Sequence, residues 1–152
     1  MRYTREEQAQ HRAELVEALR SGKYKQGDGM LRQATKSTED LFCCLGVACD
    51  LSGLGEWQES AAFEQDGKKI TFKEYHVIQT ELTQLPPAAK DYYGFAHPIG
   101  RFSSDDYEHG SLTAYNDNGY PFAFIADLIE DEPRGLVLVL SLIHISEPTR
   151  PY

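Results

Sequence analysis

The first clear pattern along the chain is helical. Leu15 and Leu19 stand one turn apart, Gln8 and Arg12 extend the same stripe, and Ala18 lies beside it. Thr4-Arg5-Glu6-Glu7 has the form of a capping box, in which hydroxyl and carboxylate satisfy each other's orphan amides. Gly22 is placed to close the helix, and Arg20 suits its last turn. Residues 23–40 read as loop, with a short strand at Met30-Leu31; the Gly27/Gly29 pair lacks a preceding strand and a Walker lysine, so it reads as a turn.

The segment LFCCLGVACDLSGLG is apolar almost all round: Phe42, Cys43, Leu45, Gly46, Val47, Ala48 and Leu51. That pattern predicts a buried central helix, with Ser37, Thr38 or Asp40 as N-cap and Gly53 or Gly55 as the stop. Gly46 in its middle costs about 1 kcal/mol relative to alanine, which implies close approach of another element. The period then changes. Asp66-Gly67 between Ala62-Phe63-Glu64 and Ile70-Thr71-Phe72 predicts a hairpin. Residues 73–84 fit strand or helix equally. Leu85-Pro86-Pro87 starts a short helix ending at Tyr92, Tyr93 and Gly94, residues 96–110 read as surface loop, and Pro121–Glu130 is a helix with Phe122, Ile125, Leu128 and Ile129 on one stripe. Leu136–Val139 enters a last strand. These elements predict a single compact α+β domain: three or four helices around a buried Cys–Gly helix, packed on a small antiparallel sheet.

Residues 140–150, LSLIHISEPTR, change how the end of the chain is read, because that string is what the end sequence of a transposon-based sequencing adapter encodes. Residues 140–152 are therefore expected to be adapter-derived, 1–139 to form the domain, and the authentic C-terminus to be missing. The chain has 152 residues and a net charge of −9, and the tail's single Glu and single Arg leave that charge unaltered. An acidic excess disfavours direct binding to nucleic acid. No apolar run is long enough to cross a bilayer and no secretion signal opens the chain, so no membrane contact and a cytoplasmic location are expected.

ALRSGKYKQG, CCLGVACDL, LPPAAKDYYGF and LTAYNDNGYPFAFIADLIEDEP, in that order over residues 13–138, resemble a family of small uncharacterised phage and bacterial proteins. Its landmarks are a Y-x-Q-G turn, a C-C-L-G-V helix and a final N-D-x-G-x-x-F-x-x-I-A-D-L-I-E helix. The chain is similar more distantly to a bacterial domain of unknown function sharing the Q-G, C-x-x-G and N-D landmarks. Tyr92-Tyr93-Gly94-Phe95 departs from the usual Trp, and Pro121 stands where the family has a Ser or Thr cap. The resemblance implies an accessory or interaction protein, encoded by a phage or a bacterium and working in the host cytoplasm. No activity is carried over with it.

The chemistry that the residues suggest is cysteine-based. Three Cys at 43, 44 and 49 have neither C-x-x-C spacing nor a helically spaced His, so no metal and no cofactor are expected. A papain-like hydrolase or acyl transferase would place Cys43 or Cys44 in the first turn of the central helix, where the dipole favours a thiolate. Gln26 would donate to the oxyanion, His109 or His97 would act as base, and Asn116 would orient it. Against this stands a plain structural account: buried cysteines are common core residues, and Asn116-Asp117 before Asn118-Gly119 is a capping or turn sequence. Convergence of Gln26, Cys43 and Asn116 on one cleft would favour chemistry. A third reading takes Asp127, Glu130, Asp131 and Glu132, with Tyr92-Tyr93 and Tyr115/Tyr120, as an acidic decoy surface for a basic host protein.

Overall fold

The computed structural model describes residues 3–35, 38–65, 67–77 and 80–138, so the expected adapter segment at 140–152 lies outside the described residues, as do Ser37, Asp66 and Val139. Helix α1 (Arg5–Arg20) forms as the sequence predicts. Thr4 Oγ1 accepts the Glu7 N–H, the Glu7 carboxylate accepts the Thr4 N–H, and Leu15, Val16 and Leu19 are buried with Gln8.

The described residues of 23–40 are loop only in part, and Met30-Leu31 precede a strand instead of forming one. The segment supplies β1 (Lys25–Gln26), β2 (Arg32–Thr35) and β3 (Thr38–Phe42), followed by α2 (Cys44–Ser52). The hairpin is longer than its turn signal indicates, with β4 (Glu56–Gln65) and β5 (Lys68–His76) paired antiparallel through Trp57↔Tyr75 and Phe63↔Ile70. Of the ambiguous stretch, residues 73–76 continue β5 and Thr80–Glu81 form β6, which pairs with it. The sheet order is β1-β3-β2-β5-β4 with β6 beside β5, and β1 runs parallel to β3. The sheet is therefore mixed rather than purely antiparallel, because β3 inserts between β1 and β2: it turns back antiparallel on β2 and so runs parallel to β1.

Helices α3 (Pro87–Tyr93), α4 (Leu112–Asp117) and α5 (Phe122–Asp131) complete the helical side, which makes five helices among the described residues. Helix α4 was not predicted. Six residues cannot show a helical period, and its Ser111 cap directly follows the 96–110 stretch that reads as loop. The final strand reduces, among the described residues, to a single bridge between Val137 and Phe95.

Helix α2 is the centre of the fold. Cys44, Leu45, Gly46, Val47, Ala48 and Cys49 are all buried, and α1, α3 and α4 pack around them. A Cβ on Gly46 would lie 1.8 Å from the Leu31 carbonyl oxygen, so only glycine lets that strand entrance lie against the helix. Tyr93 closes the core by donating its hydroxyl to the Ala48 carbonyl at 2.6 Å.

Candidate functional site

The helix at the centre begins without a cap of its own. Thr38 and Asp40, expected N-caps, belong to β3, and the residue in the cap position, Cys43, makes no side-chain capping bond. Asn116 supplies it from elsewhere: its Oδ1 accepts the Cys44 N–H at 3.2 Å. Helix α5 has the same deficiency, because Pro121 in its cap position has no capping side chain. There Gln26 acts, and its Oε1 accepts the Phe122 N–H at 3.1 Å.

The two carboxamides also bond each other. Gln26 Nε2 donates to Asn116 Oδ1 at 3.0 Å and to the Tyr120 carbonyl at 2.8 Å, while Asn116 Nδ2 donates to the Gly27 carbonyl at 2.8 Å. Asp117 extends the clasp by accepting the Gly29 N–H at 2.9 Å. A Cβ on Gly27 would meet Leu41 Cβ at 2.7 Å, which accounts for the glycine after Gln26. The Gln-Gly and Asn-Asp landmarks are thus two halves of one joint, tying the β1–β2 turn to the start of α2 and of α5.

Gln26, Cys43, Cys44 and Asn116 therefore converge, as a catalytic reading requires, but they do so around helix ends. Cys43 is 5% exposed, and burial pushes its thiol up to about 11 against the pull of the backbone amides of Gly46 and Leu45. Burial raises Cys44 and Cys49 well above the ordinary thiol range. Cys44 Sγ donates to the Leu112 carbonyl at 3.8 Å, and all three cysteines are free thiols. Asp117 adds a negative charge that further disfavours ionisation of Cys43 and Cys44.

His109 borders the joint through Tyr120, whose carbonyl Gln26 bonds, and its ring is packed on tyrosines. The His109 ring stands edge-on to Tyr115 and Tyr120, at centroid distances of 4.8 and 5.7 Å, and its backbone N–H donates to the Tyr115 hydroxyl. His97 is exposed. Among the described residues no hydrogen bond joins a histidine ring to a cysteine thiol, and no three His, Cys, Asp or Glu side chains gather as a metal site. The chain belongs to a family of domains of unknown function, DUF8296. Its model matches residues 8–133, a span that includes every member of the joint. No curated protein and no solved structure matches the chain.

One set of polar residues on α1 has a role that the sequence pattern does not name. Gln8, His11 and Arg12 on α1 donate in turn to the Asp91, Tyr92 and Tyr93 carbonyls at 2.8, 2.6 and 2.6 Å, capping the C-terminus of α3 from outside. Their signal was available: polar residues at i, i+3 and i+4 in a stripe that faces the core. The tyrosine clusters need correction as well. Tyr93 is 0% and Tyr115 2% exposed, so both are core residues with their hydroxyls bonded inside, and the surface is left to Tyr92 and Tyr120, each half-buried. The acidic end of α5 is in part neutralised, since Arg20 bonds both Asp127 and Glu130, and Arg12 lies 3.6 Å from Glu132. No helix among the described residues is long and apolar enough to cross a membrane.

Proposed function

We propose that this domain works by binding a partner with a basic surface and carries out no chemistry of its own, in the manner of a phage or bacterial accessory protein acting in the cytoplasm. The observation that carries the reading is the commitment of the Gln26 and Asn116 carboxamides to helix ends. A hydrolase built on Cys43, His109, Asn116 and Gln26 needs an ionisable thiol, a base within reach and an amide free to meet an oxyanion. Here the Cys43 thiol is pushed up to about 11, the His109 ring packs with tyrosines, and both Nε2 protons of Gln26 are already donated.

The charge supports a basic partner. Between Arg101 and Arg134 there are eight carboxylates and no lysine or arginine; Arg12, Arg20 and Arg134 pair with Glu132, Asp127, Glu130 and Asp105, and the other four have no ion-pair partner among the described residues. A field of that sign concentrated on one stretch steers cations toward it and repels phosphates. The test combines two readouts on the full chain. Affinity capture from a bacterial lysate, followed by reconstitution with the purified partner, is expected to yield a basic protein whose binding weakens steeply with salt. Turnover of a thioester or peptide substrate that depends on Cys43, with no basic partner reconstituted, would overturn the proposal in favour of the hydrolase.

A further inference from the structure

We infer that the partner docks on the outer face of α5 and the turn before it, and that it does so through an arginine-bearing segment of polypeptide. This rests on the binding reading above and locates it. Helix α5 buries Phe122, Ile125 and Ile129, yet Phe124 between them points outward and is 37% exposed. It does not stand alone. Its ring lies 4.8 Å from Tyr120 and 5.4 Å from Tyr115, and Tyr120 in turn lies 4.8 Å from Tyr115 and 5.7 Å from His109. Tyr115 is the buried floor, and Tyr120, Phe124 and His109 form a ledge above it, with exposed Pro121 and Ala123 alongside. Rings held by one another in this way have already lost the freedom that docking would otherwise remove.

The charge around the ledge decides what would cover it. Glu108 accepts the Tyr120 hydroxyl at 2.5 Å, and Asp106 and Asp117 are exposed close by in sequence. None of the three has an ion-pair partner among the described residues, whereas Asp105 and Asp127 are taken by Arg134 and Arg20. The exposed Phe124 ring and the half-buried Tyr120, with the Glu108 carboxylate beside it, suit a guanidinium, which stacks on a ring and bonds a carboxylate together. A second copy of the chain would bring the same negative charge to the face, and phosphate-bearing ligands would be repelled.

Fluorescence anisotropy with labelled octa-arginine and octa-lysine, at low salt on the full chain, tests the assignment. Octa-arginine should bind more tightly than octa-lysine, and Phe124→Ser and Glu108→Gln should each weaken it by roughly fivefold or more. The Glu14→Gln/Glu17→Gln double variant on α1 removes more charge and should change affinity by less than about twofold. Thermal melts check that the variants fold; Glu108→Gln should melt like the wild-type chain, whereas Phe124→Ser gives up packing on Tyr115 and Tyr120 and should melt lower while remaining folded at the assay temperature. If the α1 variant weakens binding and the ledge variants do not, the docking site is wrong while the basic-partner reading stands. Sensitivity to Glu108→Gln without sensitivity to Phe124→Ser would reduce the interaction to simple charge attraction and also overturn the site. A wild-type dimer that Phe124→Ser dissolves would assign the face to a second copy. Absence of binding by the wild-type chain would overturn both the site and the reading it rests on.

Discussion

The carboxamides of Gln26 and Asn116 meet at 3.0 Å, and each reaches the first N–H of a helix whose own cap position has no capping side chain. One pair of side chains from positions far apart in sequence thereby fixes where α2 and α5 begin. The geometry also explains why a proline is compatible with the cap position of α5. Gln26 takes the first orphan N–H of α5 from outside, just before the amides that a Ser or Thr at residue 121 would reach.

Gly46 gives a first test, because two physical effects oppose each other there. Helix propensity alone makes Gly46→Ala stabilising by about 1 kcal/mol. The Leu31 carbonyl oxygen, 1.8 Å from where the new Cβ would sit, makes it destabilising, by roughly 3 kcal/mol or more. Urea denaturation should show the loss, and a stabilised variant would refute this packing of α2.

The two interhelical arginines should behave differently. Arg12 is mostly buried, its ionisation is depressed by that burial, and it caps the Tyr93 carbonyl, so Arg12→Ala should cost about 2 kcal/mol. Arg20 bonds Asp127 and Glu130 at the surface, where ion pairs contribute little, and Arg20→Ala should cost clearly less than Arg12→Ala. Equal losses in chemical denaturation would mean that the α1–α3 capping is not as described.

Cys43 provides a pH signature. Its thiol is raised in the folded state to about 11 by burial, so its stabilising contribution is complete below the ordinary thiol range and is lost as pH rises through about 11. Native-state alkylation of Cys43 should therefore stay slow through pH 9 and increase toward 11, with stability falling over the same window. Rapid alkylation at neutral pH would point to an activated thiol.

Much of this was legible in the sequence, and the limits have physical causes. The capping box of α1, the apolar α2, the turn at Gly67 and the stripe of α5 are local patterns and do appear, although α2 begins only at Cys44 and leaves Phe42, expected within it, in β3. Strands β1 to β3 are short and carry Lys25, Gln26, Arg32, Gln33 and Asp40, so they show no alternation, and only pairing defines them. For the joint, the landmarks Gln26, Cys43 and Asn116 were recognisable and do come together. What sequence could not tell was the target of each carboxamide. The bonds run to backbone groups as many as 96 positions away, such as Gln26 to Phe122, and no spacing rule reports them.

Asp40 offers a check on the sheet. Burial pushes its carboxyl up, but hydrogen bonds from Lys73 and Arg32 outweigh that and hold it below the usual range. The stability it contributes is present above the unfolded carboxylate pKa and is lost as pH falls through the lowered folded value. Asp40→Asn should therefore flatten the acid limb of the stability profile, and an unaltered limb would show that the Arg32–Asp40–Lys73 cluster does not form in solution.

The central claim, that the Gln26–Asn116 pair holds helices rather than substrate, is tested most directly by a double-mutant cycle in urea. Gln26→Ala and Asn116→Ala should each cost about 2–3 kcal/mol, because each strands a helix N–H in a part-buried joint. The double variant should cost less than the sum by at least about 1 kcal/mol, since the partners share one network. Catalytic residues behave otherwise, and their removal commonly leaves stability unchanged or raised. Single variants as stable as the wild-type chain, with no coupling between them, would contradict the account.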